Sequence, residues 1–130
     1  MTRILLVCLA LSAAPLAGHA DPKPDVKQLA SDRVAAAQRV WDAYVAQMKT
    51  GQSTLEDTRR WSLVLLDAQV DAAANAKAIA SALKDYADRV HTLAEAMERA
   101  HTAGVRSSLE LEAAKYYALE ADFWVARGKR

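Results

Sequence analysis

Five side chains between Asp88 and His101 have the types and spacing for metal chemistry. Asp88 and His91, and again Glu98 and His101, place a carboxylate three residues before an imidazole, with Glu95 between the pairs. That i, i+3 spacing sets both groups on one helix face, as in the Glu-x-x-His units that hold metal in helical-bundle cores. Such a site also needs ligands converging from several facing helices. At about 100° per residue these five form one broad face of a single helix, opposite the seam of Val90, Leu93 and Met97. They are expected to be a solvated charged face with intrahelical pairs and no resident metal. Weak Zn²⁺ or Ni²⁺ binding by Glu98 and His101 is the alternative.

No other set suggests catalysis. The serines cluster where helix caps are expected. Two of the three histidines share one helix, and no Gly-rich phosphate loop follows a strand. The chain is read as non-enzymatic, with no cofactor. The runner-up is a small helical metal- or ligand-binding protein using Asp88, His91, Glu98 and His101.

The elements that position these residues follow from composition. The chain has 130 residues, 52% hydrophobic and only 6% aromatic, with one Cys, three Pro and four Gly. That is one small domain, poor in the turn-formers of an all-β fold and without a disulfide framework. Seventeen basic and sixteen acidic residues nearly cancel, so no nucleic-acid partner is expected.

Residues 1–20 read as a cleaved signal peptide. Arg3 supplies the positive start, Ile4 to Leu11 the apolar run, and Gly18 and Ala20 the small residues before the cut. Cleavage would remove Cys8, the only thiol, and leave acidic and basic residues balanced. Residues 21–130 are expected to form a helical coiled-coil domain, periplasmic or secreted. Roughly 110 residues make a marginal core for a rod, and no apolar run in them is long enough to span a membrane.

Asp25 can cap a first helix, with Gln28 as its capping-box partner. Ala30, Val34, Ala37, Trp41, Tyr44 and Met48 form its stripe, and Gly51 ends it. Leu55, Thr58, Ser62, Leu65, Gln69, Ala72, Ala76, Ile79, Leu83, Tyr86, Val90, Leu93, Met97 and Ala100 then alternate spacings of three and four without a slip. No Gly or Pro interrupts them, so they predict one long helix of roughly 75 Å. Gly104 ends it, and a third helix runs from about Ser107 to Ala126. The rival is a four-helix up-and-down bundle that turns near Asn75 and brings both Gly turns to one end.

The two turns match at an offset of 53 residues. Gly51, Thr54 and Asp57 answer Gly104, Ser107 and Glu110: a C-cap glycine, a hydroxyl N-cap and an acid three residues later. The same offset sets Leu66-Asp67-Ala68-Gln69 over Leu119-Glu120-Ala121-Asp122. This is an internal repeat of hairpins, about 34–74 and 87–127. Tyr116, Tyr117, Phe123 and Trp124 cover more than one stripe of the last helix. They are expected to pack on the second helix, or else to expose a strip that binds a partner or a second copy. The basic end, Arg127 to Arg130, complements the last helix's negative dipole end.

At the turn residues and at Leu66-Asp67-Ala68-Gln69 the sequence resembles the TolC-like outer-membrane efflux family, over roughly residues 34–127. The resemblance implies the family's periplasmic helical-hairpin repeat, with hairpin tips that dock onto adaptor proteins. Nothing here resembles the strands of that family's β-barrel, so a role as an export channel is not implied. The expected fold is all-α: an antiparallel coiled coil of three helices with one long central helix and two Gly-turn hairpins. The expected role is structural or adaptor-like, in the cell envelope, with a protein partner or self-association through coiled-coil faces.

Overall fold

The structure is a computed structural model and describes residues 23–130. The expected signal peptide lies outside the described residues. The described chain is all-helical and without strands: α1 Val26–Lys49, α2 Leu55–Ala72, α3 Ala76–Thr102 and α4 Ser108–Arg127. None of these helices is long and apolar enough to cross a membrane.

Four helices stand where three were expected, because the long central helix is broken. Val70 accepts the last α2 bond, and Ala73 leaves the helix in an extended conformation. Asn75, also extended, caps α3 by accepting from the Ala78 N–H at 3.0 Å. The link uses no left-handed residue, so it needs no glycine. Alanine's helix preference is worth under about 1 kcal/mol per residue against most residues. Folding back buries Leu65 and Leu66 of α2 and Leu83, Tyr86, Val90 and Leu93 of α3, at about 1.5–3 kcal/mol for each large side chain. Burial wins. The heptad seam is real on both sides of the break, but Ala72 and Ala76, which carry it across, are exposed.

Helix direction therefore alternates up, down, up, down. Backbones approach closely within each hairpin, α1 with α2 and α3 with α4, and α2 lies against α3 in the middle. Small residues on the facing sides, among them Ala68, Ala82, Ala87, Ala114, Ala118 and Ala121, are buried and permit that approach. The core has two parts. One joins Trp41, Met48, Leu65, Leu93 and Met97. The other joins Leu66, Leu83, Tyr86, Val90, Ala118 and Ala121.

At the start of α1, Asp25 does act as N-cap, accepting from the Lys27 N–H at 3.0 Å. Gln28 does not complete a capping box; its amide donates forward to Asp32 instead, at 2.9 Å.

Candidate functional site at the turn-bearing end

Both Gly turns sit at the same end of the bundle. Gly51 and Gly104 have φ of +75° and +73°. Each closes a helix in the same way. Gly51 donates to the Met48 carbonyl and Gln52 to Gln47 (3.1 and 2.8 Å), and Gly104 donates to His101 and Val105 to Ala100 (both 2.9 Å). These paired bonds satisfy carbonyls that the helix end leaves open. A Cβ at either glycine would meet nothing within 4 Å, so a side chain costs backbone strain alone. Gly51→Ala and Gly104→Ala should each lose about 1 kcal/mol. Thermal melts should place each roughly 4–8 °C below the parent. Unchanged melts for both would contradict the left-handed turns.

The two N-caps differ in one respect. Ser107 accepts from the Glu110 N–H (3.2 Å), and Glu110 reaches back to the Ser107 N–H (3.1 Å), a complete capping box. Thr54 accepts from the Asp57 N–H at 3.0 Å, but the Asp57 carboxylate bonds to the Thr54 hydroxyl at 2.8 Å. Aspartate is one methylene shorter than glutamate, and here it does not return to the cap's own N–H.

The Ser107 N–H, then its hydroxyl, and the Arg106 guanidinium hold the Glu110 carboxyl below its ordinary pKa. A depressed folded-state pKa stabilises above the unfolded value, about 4.3 for glutamate. That stabilisation disappears as pH falls through the folded value. Glu110→Gln should therefore cost at most about 1 kcal/mol at neutral pH. Its deficit in urea melts should shrink as pH is lowered to about 3. A deficit that stays constant with pH would mean that the carboxylate charge contributes nothing.

The hairpins are tied together across this end. Arg106 donates through Nη1 to Glu110 at 3.0 Å and through Nη2 to the Ser53 carbonyl at 3.3 Å. Ser53 and Arg106 occupy equivalent places in the repeat. Ser53 also donates to the Tyr44 carbonyl (3.0 Å) and shares a hydrogen bond with Thr58 (3.2 Å), fixing the first turn from beneath. His101 Nδ1 lies 3.0 Å from the Arg106 carbonyl. A carbonyl only accepts, so Nδ1 carries the proton.

The candidate metal residues are not brought together. Asp88 pairs with Lys84 (2.8 Å), and Glu95 with Arg99 (3.8 Å), as intrahelical pairs. The histidines depart from the expected intrahelical pairing: His91, though exposed, reaches through Nε2 to Asp122 of α4 at 2.9 Å, and His101 serves the second turn. Glu98 is exposed. Among the described residues no group of three or more His, Cys, Asp or Glu could hold a metal ion.

The aromatic cluster of α4 divides. Trp124 stacks on Tyr86 at 5.4 Å, and Tyr117 lies under the Arg59 guanidinium at 3.9 Å, while Tyr116 and Phe123 face outward. The basic end folds back: Gly128, with φ +67°, closes α4, and Arg130 reaches Asp67 at 2.6 Å.

Sequence reasoning missed a groove between α1 and α3. It has a volume of about 480 Å³ and is lined by Trp41, Met48, Leu93, Lys49, Arg89 and Arg99, among others. Arg89 is held from α2, by Ser62 through Nε (2.9 Å) and by the Ser62 carbonyl and Gln69 through Nη2 (3.3 and 3.4 Å). Burial pushes its pKa down against the opposing charge of Asp85, and its hydrogen bonds go to the uncharged Ser62 and Gln69. Only the (3,4) spacing of Trp41, Met48 and Leu93 was visible beforehand, and that reads as core.

Set against family models, curated proteins and solved structures, the chain matches none.

Proposed function

We propose that this is a non-enzymatic structural or adaptor protein of the cell envelope, which docks a protein partner through its turn-bearing end. The observation that carries the reading is the pairing of the two turns. Arg106 bonds the Ser53 carbonyl, so both tips lie side by side where one partner can grip them. Val105, at the second tip, is 71% exposed and apolar. The resemblance of the turns to TolC-like hairpins, whose tips dock adaptors, supports the same use. The secretory character of residues 1–20 supports the compartment.

A photo-crosslinking residue at Gln52 or Val105, in cells of the native host, tests this. Lys77, exposed at the opposite end of the bundle, is the control. Discrete adducts from the two tip positions and none from Lys77 are expected. No tip adduct, or equal labelling from all three, would overturn the reading.

The groove beside Arg89 favours a second reading, a small-ligand carrier. The floor is apolar, and on its rim Lys49, Arg89 and Arg99 outnumber Asp42 and Asp88, which suits an amphipathic anion. Titration with decanoate, read by the fluorescence of Trp41 in a chain with Trp61→Phe and Trp124→Phe, checks it. Saturable binding that Arg89→Gln abolishes is the expected result, and an unchanged signal up to millimolar decanoate rules it out.

A further inference from the structure

Helix α4 has two apolar faces, and the bundle uses one. Leu111, Ala114, Ala118 and Ala121 are buried against the core. On the opposite side Leu109 is 78% and Leu119 70% exposed, and Tyr116 and Phe123 are each more than half exposed. These four belong to a seam with alternating spacings of three and four: Leu109, Glu112, Tyr116, Leu119, Phe123 and Ala126. That is the a and d pattern of a coiled coil, with one polar position. Scattered exposed apolar residues need no explanation, but an ordered seam does.

The repeat indicates what kind of surface this is. At the offset of 53 residues, Leu63, Leu66 and Val70 of α2 correspond to Tyr116, Leu119 and Phe123 of α4. In α2 that face is covered: Leu66 is buried, and Leu63 and Val70 pack on the cluster that includes Leu83, Tyr86 and Val90 of α3. The face that joins the first hairpin to an antiparallel neighbour is thus, in the second hairpin, without a neighbour among the described residues.

We propose that a second copy of this chain covers it, laying its own α4 antiparallel along this seam. Antiparallel a–d layering sets Tyr116 against Leu119 of the second copy, Glu112 against Phe123 and Leu109 against Ala126, each twice by symmetry. The flanking charges agree. Lys115, paired with Glu112 in its own helix at 3.2 Å, and Asp122, paired with His91, both stay about half exposed, and across the pair Lys115 meets Asp122 of the second copy. Glu112 meets Arg127, whose guanidinium lies over the Phe123 ring at 5.2 Å. A parallel pair would instead stack Glu112 on Glu112. One 20-residue helix covers on the order of 1,000 Å² in total, at the low end for stable complexes. Weak, reversible association belongs to interfaces of that size, so the dimer is sought up to high micromolar concentration. The surface runs down α4 away from the turns, so this inference and tip docking succeed or fail separately.

Sedimentation velocity over a concentration series from about 1 to 200 μM tests it, under reducing conditions so that Cys8, where present, forms no cross-link. A monomer–dimer equilibrium is expected. Leu119→Glu with Phe123→Glu should leave a folded monomer at every concentration. Both side chains are exposed, and unchanged circular dichroism checks the fold. Lys115→Glu should weaken the dimer at least threefold, and adding Asp122→Lys should restore it, because only antiparallel pairing sets these two against each other. A monomer throughout, a dimer indifferent to Leu119→Glu with Phe123→Glu, or a charge swap that fails to restore would overturn the proposal.

Discussion

Tyr86→Ala is expected to cost about 3–5 kcal/mol, while Tyr86→Phe should cost nothing and can gain about 1 kcal/mol. The ring is fully buried in the second part of the core, among Leu66, Leu83, Val90 and Ala121, and it stacks on Trp124 at 5.4 Å with the planes 21° apart. Truncation removes that burial and leaves a cavity that close-packed helices fill only in part. For a domain whose stability is about 5–15 kcal/mol, the loss is a large share of the whole. The hydroxyl contributes differently. It is buried and has no hydrogen-bond partner among the described residues. Burial pushes the phenol pKa up, and the nearby Arg59 charge opposes this without a bond of proper geometry forming. Removing an unsatisfied buried oxygen relieves a desolvation penalty. Urea unfolding of the two variants separates the contributions. A Tyr86→Phe chain clearly weaker than the parent would show that the hydroxyl is bonded.

Local features were legible and distant ones were not. Gly51, Gly104, Thr54 and Ser107 could be placed from sequence because a C-cap glycine and an N-cap hydroxyl act within a few residues of themselves. Asn75 carries little sign of a break, since the seam stays in phase across it and no glycine marks a turn. The phase persists because a helix that reverses through an extended link still turns its apolar stripe to the same core. What decides between rod and bundle is burial between Leu65 or Leu66 and side chains some twenty residues later, which periodicity does not register. The repeat misled in another way. Leu66 and Leu119 are equivalent in sequence, yet one is buried and the other exposed, because α2 lies inside the bundle and α4 at its edge. Arg89 was invisible for the same reason. Its partners Ser62 and Gln69 lie on another helix, and nothing in its neighbours along the chain marks it.

Glu120→Ala should cost about 2 kcal/mol, far more than the loss of the exposed pair Arg33–Asp71. Arg59 and Glu120 join α2 to α4 at 2.7 Å, with side chains only 14% and 23% exposed. The Arg59 guanidinium also covers the Tyr117 ring at 3.9 Å, and Tyr117 donates to Glu56 at 2.7 Å. Burial acts against the charge on Arg59, but the bond to Glu120 and that carboxylate's charge favour it, and its pKa is raised. Deleting Glu120 strands a cation that keeps only Glu56, at 3.8 Å, as a weak partner. The cost of an abandoned buried charge, about 3–5 kcal/mol, falls here because part of the pair still meets water. Asp71→Ala breaks a pair whose side chains are 60% and 58% exposed, and should stay within about 0.5 kcal/mol. Replacing both Arg59 and Glu120 by leucine removes the stranded charge together with its partner. That double variant should recover most of what Glu120→Ala loses. Urea melts of the three chains give the comparison, and equal losses for Glu120→Ala and Asp71→Ala would show the α2–α4 contact to be as solvated as the surface.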